Sequence, residues 1–214
     1  MGAIFEESEQ GYGFTAHEGK LWGTELFLRK LSVTGTQTIM MAATLAEGRT
    51  VIKNAAMEPE TASLATFLNL CGADIEGVGT PIITIRGGAP LVAAGRTYTV
   101  PPDRIEAGSF LILAALAGED VNITHCDPQE VESLIETLRY AGVHINRGQS
   151  TLSIRAAEQR PYRSVDVKTH EYPGFPTDLQ APMTVFLTQA AGEALVFETI
   201  FEGRLNYTEG LLRM

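Results

Sequence analysis

Three short stretches hold the residue types best suited to chemistry. The first, Lys30-Leu31-Ser32-Val33-Thr34-Gly35-Thr36, joins a strand-like segment to a helical pattern beginning near Gln37. Ser, Thr and Gly at such a junction suit helix N–H groups that face an anion, and Lys30 adds a point charge. The same residues equally describe a capped helix with a solvent lysine. The second is Phe175-Pro176-Thr177-Asp178, with Pro182 four residues beyond Asp178. A proline at a first helical position starts that helix near Ala181 and leaves Thr177 and Asp178 in the preceding turn. A carboxylate there either caps the helix or takes a proton from a ligand hydroxyl. The third is Ile200 and Arg204, after an apolar strand read over 194–199. Ile200 alone reads as core. Arg204 is either a solvated loop charge or a planar cation for phosphate or carboxylate.

Other chemistries find no support. His17, His125, His144 and His170 lack the spacing of a metal site or a catalytic triad, and Cys126 beside His125 points to the opposite face of a strand. No Walker loop, dinucleotide G-x-G-x-x-G or zinc pattern is present.

The elements that must carry these residues repeat. Gly2-Ala3, Gly72-Ala73 and Gly142-Val143 mark one phase, with glycines at positions 2, 72 and 142. Around them, Leu45-Ala46-Glu47-Gly48 returns as Leu116-Ala117-Gly118-Glu119, and Glu58-Pro59-Glu60 as Asp127-Pro128-Gln129-Glu130. Ile82-Ile83-Thr84-Ile85-Arg86 returns as Leu152-Ser153-Ile154-Arg155, and Gln189-Ala190-Ala191-Gly192-Glu193 is a weaker third copy. Each beat predicts an Ala-rich helix (38–46, 110–117) closed by a glycine cap, then a β-branched strand (50–52, 121–124). A second helix follows (60–70, 130–140), its apolar face set by Leu64, Phe67 and Leu68 and by Leu134, Thr137 and Leu138. Gly72 or Gly142 caps it, and two short strands close a hairpin. The order is β-α-β-α-β-β, an α/β class built from units of about 70 residues.

Composition narrows the partners. The 214 residues carry 16 Lys+Arg against 26 Asp+Glu, a net charge of −10, which argues against broad binding to nucleic acid or an acidic membrane. Cys71 and Cys126 are too few for a disulfide scaffold, and the acidic start lacks the positive region of a signal peptide. No apolar run approaches the ~18 residues of a membrane span, so a cytoplasmic protein is expected.

Read in order, Lys30-Leu31-Ser32-Val33, Met41-Ala42-Ala43, Asn54-Ala55-Ala56-Met57-Glu58-Pro59-Glu60, Pro102-Asp103-Arg104-Ile105-Glu106-Ala107-Gly108, Phe175-Pro176-Thr177-Asp178-Leu179-Gln180 and Phe201-Glu202-Gly203-Arg204 resemble the UDP-N-acetylglucosamine 1-carboxyvinyltransferases. These enolpyruvyl transferases open peptidoglycan synthesis. The resemblance implies an inverted α/β barrel with helices inside and sheets outside, in two lobes of three units with the active site between them. Residues 1–99 then belong to the first lobe, with 1–22 the tail of one unit and 23–99 a complete unit. Residues 100–214 belong to the second, with one complete and one truncated unit, and Asp103, Arg104 and Glu106 form a structural hinge at the crossover. Since neither end falls on a unit boundary, a piece of a longer chain is expected.

The resemblance also implies roles. Lys30, Leu31, Ser32 and Val33 bind the uridine-diphosphate part of the substrate. Thr177 and Asp178 meet the sugar, Asp178 as the base on its 3-hydroxyl, and Ile200 and Arg204 border the ligand. Phosphoenolpyruvate is the co-substrate, and no metal or organic cofactor, nucleic acid or membrane is involved. Thr34-Gly35 replaces the usual Gly-Ala, and Gly203 a frequent asparagine. The family's loop acid, a Cys or Asp, has no counterpart among these residues, so the chain alone is expected to show no turnover. A non-catalytic nucleotide-sugar-binding or interaction module that keeps the fold is the alternative.

Overall fold

The structure is a computed structural model that describes residues 1–93, 95–117, 120–155 and 161–214. It divides into two compact units, Met1–Pro101 and Pro102–Met214, each with its own apolar core.

The first unit opens with an antiparallel hairpin, β1 (Ala3–Ser8) and β2 (Gly11–Ala16). Then follow β3 (Glu25–Phe27), α1 (Val33–Leu45), β4 (Gly48–Lys53), α2 (Pro59–Leu70), β5 (Asp74–Glu76) and β6 (Ile82–Gly87). That is the predicted β-α-β-α-β-β order, and its four strands form one sheet in the order β3-β4-β6-β5. β3 and β4 are parallel, as a helical crossover requires, whereas β4-β6 and β5-β6 are antiparallel. Ile83 and Ile85 of β6 are buried beneath the helices with Ile52, Met40, Ala43, Ala65 and Leu68, while Ile82 and Arg86 on the alternate face are exposed.

The second unit contains α3 (Arg104–Ala117), β7 (Val121–Thr124), α4 (Glu132–Ala141), β8 (Ile145–Arg147), β9 (Thr151–Ile154), β10 (Val167–Lys168), α5 (Gln180–Leu187), β11 (Val196–Phe197) and α6 (Thr208–Leu211). The sheet order β7-β9-β8 reproduces β4-β6-β5, so the sequence repeat is a repeat of topology. Among the described residues of this unit no strand precedes α3, which leaves this repeat without its leading element. Leu111, Ile112, Leu134, Ile135, Leu138, Leu179, Met183 and Phe186 form the core between α3, α4 and α5. β10 and β11 are parallel and joined through α5, the arrangement already seen in β3-α1-β4.

The beat glycines have one physical cause. Gly2, Gly72 and Gly142 have φ of 80°, 102° and 101°, a left-handed conformation that glycine adopts at low steric cost and that closes α2 and α4 at Gly72 and Gly142.

Several boundaries shift. α1 begins at Val33 rather than near Gln37, because Ser32 caps it and tertiary packing overrides the weak helix propensity of Val33, Thr34 and Gly35. It closes on Ala46 in an extended conformation, not on a glycine, and the matching Gly118-Glu119 lies outside the described residues. α3 starts at Arg104, well before 110. The buried face of α2 is Thr61, Ala65 and Leu68, while Phe67 is exposed and packs edge-on against Tyr98 at 5.5 Å. The strand expected over 194–199 is only Val196–Phe197.

Candidate functional site

In the first unit the candidate turn lies where β3 feeds α1. Leu28 N–H donates to the Lys53 carbonyl (3.0 Å), extending the β3-β4 pairing by one residue before the chain bends at Arg29 and Lys30. Ser32 Oγ then accepts from Gly35 N–H (3.0 Å), which satisfies one of the four donors that a helix start leaves without an intrahelical partner. Ser32 is therefore a helix cap, as one of the two readings holds. A Cβ on residue 35 would stand 3.0 Å from Ser32 Oγ, so Gly35 allows the close approach of the cap. Lys30 is exposed, and Leu31 and Val33 are half-buried.

A second strand end braces this turn. Asn54, at φ 58° just past β4, donates from Nδ2 to the Leu28 carbonyl (2.8 Å). Thr36 Oγ1, fully buried, donates to the Ser32 carbonyl (2.8 Å) and accepts from Ala56 N–H (3.0 Å). The Asn54-Ala55-Ala56 segment thus serves as the frame of the Ser32 turn.

In the second unit the same part of the β-α-β element holds the other predicted residues. His170 N–H donates to the Phe175 carbonyl (2.9 Å) and Gly174 N–H to the Glu171 carbonyl (2.7 Å), a tight turn that delivers Pro176. Thr177–Leu179 form a short 3-10 turn running directly into α5, so Thr177 and Asp178 do stand in the turn ahead of the helix. Pro182 is the third residue of α5 rather than its first. Asp103 is tied to this region through the helix it caps: its Oδ1 accepts from Ile105 N–H (2.8 Å) and Glu106 N–H (3.1 Å). One turn along, a Cβ on Gly108 would lie 2.6 Å from Leu179 Cδ1.

Thr177, Asp178 and Arg204 come together. Arg204 donates from Nη1 to Thr177 Oγ1 (2.9 Å) and from Nη2 to Asp178 Oδ1, with its guanidinium 5.1 Å from the Phe201 ring centre. The arginine side chain is 35% exposed and the aspartate 54%, so this pair contributes about 1 kcal/mol or less and a bound anion can compete for the guanidinium.

Behind them stands Glu198, a residue that the sequence reading missed. Its Oε1 accepts from the N–H groups of Ile200 (2.7 Å) and Phe201 (3.1 Å). Its Oε2 accepts from Thr177 Oγ1 (2.9 Å) and Gln180 Nε2 (3.0 Å). Burial pushes the Glu198 carboxyl up, but these N–H groups and the hydroxyls of Thr177 and Thr169 outweigh it and hold the carboxyl below 4.5. Ile200 is half-buried and its N–H is committed to this carboxylate. Thr169 N–H donates to the Phe197 carbonyl (3.0 Å) as Leu28 does to Lys53, so Glu198 occupies in the second unit the place that Asn54 holds in the first. A polar residue directly after the second parallel strand of each unit was the available signal.

Cys126 is buried, and desolvation pushes its thiol up; Cys71 caps α2. Among the described residues no helix is long and apolar enough to cross a membrane, and no group of three or more His, Cys, Asp and Glu side chains gathers as a metal site.

The repeated α/β units with polar turns at the strand-to-helix junctions agree with the enolpyruvyl-transferase class of fold. The family model for EPSP synthase (3-phosphoshikimate 1-carboxyvinyltransferase) matches residues 1–214, and the chain belongs to that family. Two curated relatives are both named UDP-N-acetylglucosamine 1-carboxyvinyltransferase. The one from Acidobacterium capsulatum is 45% identical over 96% of this chain and 46% of its own length. The one from Actinobacillus succinogenes is 42% identical over 100% of this chain and 50% of its own length. The chain spans about half the length of these relatives. Among solved structures, the enolpyruvyl transferase NikO from Streptomyces tendae superposes with a TM-score of 0.84 at 21% identity, over 99% of this chain and 52% of that one. An EPSP synthase from Acinetobacter baumannii gives 0.61 at 22% identity, over 100% and 50%. The last two likenesses establish the fold.

Proposed function

We propose that the chain carries parts of both lobes of a UDP-N-acetylglucosamine 1-carboxyvinyltransferase, a cytoplasmic enzyme of peptidoglycan synthesis. The reaction moves the enolpyruvyl group of phosphoenolpyruvate onto the sugar 3-hydroxyl and releases phosphate. Lys30, Leu31, Ser32 and Val33 receive the uridine-diphosphate part, and Thr177 and Asp178 receive the sugar. The observation that carries this reading is the convergence of Thr177, Asp178 and Arg204 on one turn, in a chain 45% identical to relatives of that name.

The chemistry follows from residue types. The 3-hydroxyl oxygen bonds to the central enol carbon of phosphoenolpyruvate, and its proton passes to Asp178, an acceptor within reach of a sugar seated on the turn. An acid protonates the methylene carbon to a methyl group, and the adduct then expels phosphate as that methyl gives a proton back, which restores the enol double bond. Arg204 offers a planar cation to the phosphate or carboxylate groups, at the expense of its exposed pairing with Asp178. The burial of Cys126 and the place of Cys71 at a helix end support the reading that neither cysteine acts as that acid.

Calorimetric titration with UDP-N-acetylglucosamine tests the reading. The wild-type chain binds, and Arg204→Ala weakens binding about tenfold, the value of a charged hydrogen bond. Absence of binding by the wild type overturns the proposal. With both substrates the purified chain releases no phosphate; measurable release would locate the missing acid within it.

A further inference from the structure

We infer that Glu198 is the positioning residue of the Thr177-Asp178 turn, fixing the direction of the Thr177 hydroxyl and, through it, the seat of Arg204.

A carboxylate only accepts. Four hydrogen bonds hold Glu198, from two backbone N–H groups at Oε1 and from the Thr177 hydroxyl and Gln180 amide at Oε2, with the Thr169 hydroxyl adding to the electrostatic support. The hydroxyl hydrogen of Thr177 is thereby spent on Glu198. What Thr177 Oγ1 then presents on its other side is a lone pair, which accepts Arg204 Nη1 at 2.9 Å. With Nη1 seated there, the planar guanidinium brings Nη2 to Asp178 Oδ1. The chain of command runs from carboxylate to hydroxyl to guanidinium to the carboxylate of Asp178.

Two further observations agree. Gln180 is 1% exposed and its Oε1 finds no donor among the described residues, so the amide is turned by Glu198 and not by its own needs. The Ile200 and Phe201 N–H groups clamp the strand end on the opposite oxygen, so the carboxylate is held from both sides. Asn54, its counterpart in the first unit, likewise ties a strand end to the chain entering a helix.

Glu198→Gln is the discriminating change because it preserves shape and reverses polarity. Whichever way the amide faces, its NH2 confronts two donors, either the backbone pair or Thr177 with Gln180. In the orientation that spares the backbone, the Thr177 hydroxyl hydrogen loses its acceptor and is free to turn toward Arg204, whose seat is then no longer fixed.

The role of this network in ligand binding rests on the nucleotide-sugar reading above, and the experiment separates the two. The 214-residue chain, wild type and Glu198→Gln, is followed by its melting profile, by the Arg204 guanidinium resonances in nitrogen-15 NMR, and by titration with UDP-N-acetylglucosamine. The expected result is a folded variant in which the Arg204 Nη signals collapse to an averaged resonance and affinity falls about tenfold. Thr177→Val, with Glu198 intact, gives the same loss of Arg204 order, and carries the test should Glu198→Gln fail to fold. If the wild type binds no nucleotide sugar but Arg204 is still released by Glu198→Gln, the positioning role stands and the substrate reading falls. Ordered Arg204 signals with wild-type affinity in either folded variant overturn the inference.

Discussion

Glu198 shows how much a single half-buried side chain can decide. Its carboxyl is held below the ordinary glutamate value in the folded chain, so its contribution to stability is present above that ordinary value and is lost as pH falls through the lower folded one. Urea midpoints of wild type and Glu198→Gln should differ at neutral pH and converge on the acid side of 4.5; a gap independent of pH would show that the charge is not what stabilises the turn. The residues Ser32, Thr177, Asp178 and Arg204 were legible because their types match a chemistry at recognisable junctions. Glu198 was not, since a glutamate after a short strand is an ordinary sight and only its four donors distinguish it. Ser32 was read in two ways, and the cap it makes to Gly35 is plain in the fold.

At the scale of elements, the site depends on how closely α3 approaches the Thr177–Leu179 turn. Gly108 makes that approach possible, its missing Cβ leaving room for Leu179 and Leu134, both fully buried. Gly108→Val should cost about 1–3 kcal/mol by overpacking. Chemical denaturation measures that loss, and displaced Thr177 amide shifts report the push on the turn; wild-type stability would mean that α3 can retreat freely. Helices α1 to α5 were legible in order, but their working faces were not always so. In α2 the spacing of Leu64, Phe67 and Leu68 satisfied a helical stripe, yet the sheet selected Thr61, Ala65 and Leu68. Small side chains allow the helix to lie close against α1 and β5, while Phe67 finds Tyr98 at the edge. Periodicity counts apolar residues; packing weighs their volume.

Across the whole molecule, stability is unevenly spread. Every residue of β1 is exposed, and an isolated two-stranded hairpin is marginal in water. Hydrogen exchange should empty the β1-β2 amides at the earliest time points while Ile52, Ile83 and Ile85 persist; equal protection would mean that the hairpin is covered. The repeat, the class of fold and the left-handed glycines at 2, 72 and 142 were determined by the sequence alone, because backbone conformation and hydrophobic period are short-range properties. The tertiary structure decided which carboxylate governs the candidate site. Thr177 and Glu198 stand 21 residues apart and Thr177 and Arg204 27 apart, and no local rule fixes where such partners meet. Their meeting is set by the parallel pairing of β10 with β11 and the seating of α5 on its core, both of which depend on chain segments far from either residue.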